Sequence, residues 1–235
     1  MKPIAIRLLT IVSLLLSTAL AVYGCAGKAT ESKPAATPAS PRDACIQFAE
    51  ALAEGNEARL LAAVEANEWQ REMLRAEMDF NTAMSGFRDA FVKTYGEQAW
   101  KDFQDDSKAP KDGNAKLDIP DVKEIVANIR NLAIEERGNE AFCDSPDEPG
   151  EKVHFIKVKD GWRMDVGRDL PGEAEAQKQM GQMKDMADAV RKYQKAIGRP
   201  GIKPEDIDAE LGREMFRLLT GSESPAPHRF DINKL

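Results

Sequence analysis

The sequence predicts an α+β protein, and three observations carry that prediction. From residue 43 to 130 the apolar side chains recur mostly at three- and four-residue intervals. Between 131 and 167 they fall instead into short, partly alternating runs separated by turn residues, and from 173 the helical spacing returns. The expected architecture is a set of N-terminal helices packed on a curved antiparallel sheet of about four strands, cone-like, followed by a C-terminal helical extension.

Residues 1–24 stand apart from that fold. Lys2 and Arg7 precede an apolar run of 16 residues, Leu8 to Tyr23, interrupted only by Thr10, Ser13, Ser17 and Thr18. This is a secretory signal layout, and the run falls short of the ~20 residues that span a bilayer. It ends in Val22-Tyr23-Gly24-Cys25, which resembles the bacterial lipobox. That resemblance implies cleavage before Cys25 and diacylglycerol attachment to its sulfur. Ala26 in place of Asp then implies the outer membrane, facing the periplasm, over the inner one. An ordinary signal peptide cut near Ala19-Leu20-Ala21 is the alternative. Cleavage before Cys25 takes 24 of the 235 residues, including Lys2 and Arg7, and so leaves 211 residues with a formal charge two units below −7. So acidic a chain gains nothing from phosphate or anionic headgroups. A nucleic-acid partner is excluded, and the expected membrane contact is the acyl chains alone.

Residues 26–42 hold Ala, Pro, Ser, Thr and Lys without a large apolar side chain, and are expected to form a flexible tether with a root-mean-square span of about 20–25 Å. The α+β domain is then expected over 43–170. Cys45, Phe48, Ala49 and Leu52 predict a helix over 43–54, stopped by Gly55; Asn56 caps a second one carrying Leu60, Leu61 and Val64. The stretch from Glu68 to Phe103 is too long for one ordinary helix, and Gly86 and Gly96 are the expected bends or breaks. After a charged loop over 104–116, Val122, Ile125, Val126 and Ile129 predict a further short helix.

Four strands are expected over 131–136, 140–144, 152–159 and 162–167. Asp160-Gly161 is read as the turn of a tight hairpin, with Trp162, Met164 and Val166 on one face and Arg163 and Asp165 on the other. Over 171–221 the extension places Ala176, Met180, Met183, Ala187, Val190, Gln194 and Ile197 in a heptad-like stripe, made weak by its small residues. Packing within the chain is preferred to a dimer seam. Pro204 opens a last helix with Ile207, Leu211, Met215 and Leu218 inward, Gly221 closes it, and 222–235 is expected to be a loose tail.

Phe48-x3-Leu52-x2-Gly55-Asn56-x3-Leu60 and the run from Val153 to Val166 resemble the nuclear transport factor 2-like superfamily, and more narrowly its bacterial lipoprotein members of unknown function. The likeness covers roughly residues 43–167. Enzymes of that superfamily keep an Asp, His or Tyr between sheet and helices. His154, Asp165 and Tyr95 are the corresponding weak candidates, but no family spacing is recreated, so no catalytic role carries over. With Cys25 lipidated, Cys45 and Cys143 could form a disulfide closing 97 residues, worth about 4–5 kcal/mol in a chain-entropy account, or remain separate buried thiols. Met180, Met183 and Met186 share one helix face and could bind Cu(I), though methionine more commonly fills a core. The chain has no Gly-rich phosphate loop, His-Glu-x-x-His, Gly-x-Ser-x-Gly or Cys-x-x-Cys. The expectation is a lipid-anchored envelope protein without cofactor, binding an envelope protein or a small apolar ligand; acid/base enzymology is the alternative.

Overall fold

The computed structural model of the chain describes residues 36–104, 122–144, 152–167, 172–223 and 228–232. The signal segment and Cys25 lie outside them, as do residues 105–116 of the loop expected over 104–116, whose first residue, Gln104, is helical. Among the described residues no helix is long and apolar enough to cross a membrane. The protein is α+β, with seven helices and an open, mixed five-stranded sheet among the described residues.

Helix α1 (Pro41–Glu54) starts where the Ser40 side chain accepts from the Asp43 N–H, and it stops at Gly55, whose left-handed conformation lets it cap the last carbonyls. Helix α2 (Glu57–Ala63) starts on Asn56, whose side chain accepts from the Arg59 N–H. Val64 is extended, not helical as expected: with Glu65 it forms β1 (Val64–Glu65), pairing parallel to the last strand. A strand of two residues carries no readable periodicity, so only its partner defines it.

Helix α3 (Glu68–Tyr95) runs through Gly86 and breaks at Gly96, which has φ +89°; α4 (Glu97–Gln104) follows. Gly86 is therefore not a break. The Gln194 side chain donates to its carbonyl at 3.0 Å, close above the glycine. Helix α5 (Val122–Asn131) leads into the meander β2 (Ile134–Arg137), β3 (Glu140–Asp144), β4 (Lys152–Val158) and β5 (Gly161–Asp165). The sheet order is β1-β5-β4-β3-β2, antiparallel except at the β1–β5 edge.

Val158 pairs with Gly161, so the tight loop is Lys159-Asp160 and not Asp160-Gly161. Gly161 begins β5 with φ +151°, and the Pro38 carbonyl sits where its Cβ would be, at 2.1 Å. That same carbonyl accepts from the Trp162 N–H at 2.8 Å. The stretch expected to be tether thus ends earlier than 42: Pro38 is buried against the hairpin.

By chain contacts the protein divides into two units, residues 1–78 with 119–180 and residues 79–118 with 181–235. This differs from the division at 170 that the sequence suggests. In the first unit, Phe48, Leu52, Leu60, Ile129 and Phe155 centre an apolar cluster that joins α1, α2 and α5 to one face of the sheet. In the second, Phe87 and Phe91 of α3 meet Trp100 and Phe103 of α4, with Tyr95 edge-on to Phe91 and with Trp100 and Phe103 stacked at 5.0 Å. Aromatic burial thus assigns the end of α3 to the helical unit. Helices α6 (Glu173–Gln194) and α7 (Pro204–Thr220) complete it, α7 opening at Pro204 and closing at Gly221 as expected. Part of the expected loose tail is pinned: the buried Glu210 carboxylate accepts from the Arg229 N–H and from His228, and Phe230 packs edge-on against Tyr193.

Candidate functional site

Strand alternation decides which side chains can share a site. On the helix-covered face, Val64, Ala141, Cys143, Phe155, Trp162 and Met164 are all buried, and all belong to the apolar cluster. On the opposite face β3, β4 and β5 bring polar groups together. His154 stands directly across from Phe142 and Ile156 across from Arg163.

His154 is 3% exposed, and each ring nitrogen faces a carboxylate. Nδ1 lies 3.0 Å from Asp165 Oδ2, and Nε2 lies 3.3 Å from Glu140 Oε1 without hydrogen-bond alignment. Asp165 is held from its other oxygen by the Gly167 N–H, at 3.1 Å. Asp165 accepts from Nδ1 when that nitrogen carries the proton. The Phe142 ring stacks on the imidazole at 4.8 Å, and the Arg137 guanidinium lies over Phe142 at 5.9 Å from its centroid. Arg163 pairs with Glu65 at 2.8 Å.

The structure therefore joins two of the three sequence candidates, His154 and Asp165, and supplies a third member, Glu140, which sequence reading missed. Arg163 and Asp165 share the expected face, where Arg163 pairs with Glu65 and Asp165 with His154. Tyr95 belongs to the other unit, where its hydroxyl accepts from the Gly198 N–H at 3.0 Å. The register of β3 on β4 puts Glu140 one pair from His154 on the same face, a placement that the sequence of neither strand signals by itself.

As chemistry, the trio is a histidine clamped between two carboxylates. A general base needs Nε2 within reach of a substrate proton. Here that atom is buried and Glu140 stands over it, which suits a structural network better than a reactive one.

Cys45 on α1 and Cys143 on β3 are both buried free thiols. The Cys143 thiol and burial together push the Cys45 thiol well above its ordinary value. Met183 and Met186 are core residues of α6 and Met180 is half-buried, all on the face that also buries Ala176, Ala187 and Val190. Among the described residues no three His, Cys, Asp or Glu side chains group as metal ligands. Glu77 of α3 is buried, and desolvation pushes its carboxyl well above the usual carboxylate range.

Comparison with known proteins finds no family model, no curated protein and no solved structure that matches the chain.

Proposed function

We propose that the protein is a lipid-anchored component of the bacterial envelope, related to the lipoprotein members of the nuclear transport factor 2-like superfamily, that binds an envelope protein or a small apolar ligand without catalysing a reaction. The observation that carries the non-catalytic reading is the helix-covered face of the sheet. Where enzymes of that superfamily place an acid or base, this chain places Ala141, Phe155, Trp162 and Met164, packed on Phe48, Leu52 and Leu60. A filled apolar face holds a shape, but it offers no proton donor to a substrate. The anchor at Cys25 and the outer-membrane address rest on the lipobox-like Val22-Tyr23-Gly24-Cys25.

The test is photo-crosslinking of the full chain in its envelope, with the crosslinker placed in turn at the exposed Glu65, Glu135 and Lys157. A discrete protein or lipid adduct that persists when His154→Gln and Asp165→Asn are combined is expected. Absence of any discrete adduct, or its loss in that double variant with folding intact, would count against the proposal.

The acid/base alternative keeps one specific support, the 3.0 Å contact between His154 and Asp165. It requires Glu140 to move aside, and it predicts that Glu140→Ala opens Nε2 to small electrophiles such as diethyl pyrocarbonate.

A further inference from the structure

We propose that the C-terminal segment His228–Phe230 is a releasable strap over helices α6 and α7, and that Arg213 takes over the Glu210 carboxylate when the strap lifts. Glu210 lies inward on α7 and is 2% exposed. Both of its oxygens go to the strap: Oε1 accepts from the Arg229 N–H, and Oε2 lies 3.0 Å from His228 Nδ1. Phe230, the next residue, meets Tyr193 of α6 edge-on with 6.2 Å between ring centroids.

Arg213 stands one turn along α7 from Glu210 and is 8% exposed. Its Nη2 lies 3.0 Å from His228 Nε2. A guanidinium can only donate, so Nε2 accepts, and Nδ1 carries the proton that goes to Glu210. The imidazole thus stands between the two charges of α7. Arg213 is left short by this arrangement. Its Nε is 3.8 Å from Glu210 Oε2, a contact of opposite charges without a hydrogen bond, and both Nε and Nη1 are buried without an acceptor. Donors left in that state cost free energy while the strap is down.

The same groups therefore have two arrangements. With the strap down, Glu210 bonds to the tail and Arg213 to His228. With the strap lifted, the tail groups go to water, Glu210 loses both donors, and a shift of about 1 Å brings Arg213 Nε within the reach of a charge-assisted hydrogen bond. A buried carboxylate is costly to leave unpaired, and here it has a partner in either state. A tail docked without such a replacement would orphan Glu210 on leaving. Opening is thereby made local: it takes Phe230 off Tyr193 without unfolding α7.

The full chain is followed by residue-resolved amide hydrogen exchange and by thermal melts. Corrected for intrinsic rates, the Arg229 amide should exchange at least about tenfold faster than that of Leu211, a core residue of α7. Glu210→Gln, which makes the acceptor neutral, should speed Arg229 by about a further tenfold. His228→Ala combined with Phe230→Ala disables the strap. That pair should lower the melting temperature little while Arg213 is present, and at least about twice as far in an Arg213→Met background, where no cation takes over Glu210. A merely tethered tail predicts equal losses in the two backgrounds. Circular dichroism checks that each variant is folded; if the Arg213→Met chains are not, Arg213→Gln takes their place with the same expected ordering. Equal losses, or an Arg229 amide that exchanges only together with Leu211, overturn the proposal.

Discussion

Glu77 is a carboxyl buried in the middle of a long helix, with no compensating cation in reach of its shift: desolvation is the cause. Its pKa is raised above the ordinary 4.5, so the folded chain holds a proton that the unfolded chain releases. The sign follows from linkage. The contribution is intact below pH 4.5 and is lost as pH rises from there through the folded-state value. Glu77→Gln should therefore be more stable than wild type by a margin that grows from pH 4 to pH 8. Urea titrations at the two pH values check this; a margin independent of pH contradicts it. His154 gives the converse case. Asp165→Ala leaves a buried Nδ1–H without its acceptor and should cost about 1–3 kcal/mol by the same titration.

At the scale of elements, two glycines that look alike in sequence do opposite things. Gly86 lies inside α3, and a Cβ there would meet Gln194 at 3.5 Å, an ordinary contact. Gly86→Ala should thus stabilise the protein by up to about 1 kcal/mol, because alanine loses less backbone freedom in a helix. Gly161 has φ +151° and the Pro38 carbonyl in its Cβ position. Gly161→Ala must displace residues 36–40 from the hairpin. The expected result is faster hydrogen exchange at the Trp162 amide, which donates to that carbonyl, together with a loss of stability of about 1–3 kcal/mol. Unchanged protection of that amide would mean that the segment docks by other means.

At the scale of the whole molecule, the proposed anchor at Cys25 makes a prediction about where the folded part resides. If Cys25 is lipidated, Cys25→Ser should move the protein from the membrane fraction to the soluble envelope fraction and abolish palmitate labelling, with the fold unchanged. An acidic chain has no electrostatic route back to an anionic bilayer. A variant that stays on the membrane without label would point to a retained signal segment.

The sequence by itself determined the class of each long element and most of its ends. Three- and four-residue apolar spacing marked the helices, and Asn56, Gly55, Pro204 and Gly221 stood where backbone groups at helix termini need a partner or a left-handed residue. These are local requirements, satisfied within a few residues of chain. What tertiary structure decided was everything that depends on a distant neighbour. The strand at Val64-Glu65 exists because β5 lies beside it, and Gly161 is needed because Pro38 lands there. The aromatic end of α3 joins α4 because Trp100 and Phe103 cover it. The candidate site divides along the same line. His154, Asp165, Cys45 and Cys143 could be named from residue type and strand face. That His154 meets both Asp165 and Glu140, and that both thiols are buried in one core cluster, followed from strand register and from the docking of α1, since contacts across many residues depend on packing that no local pattern encodes.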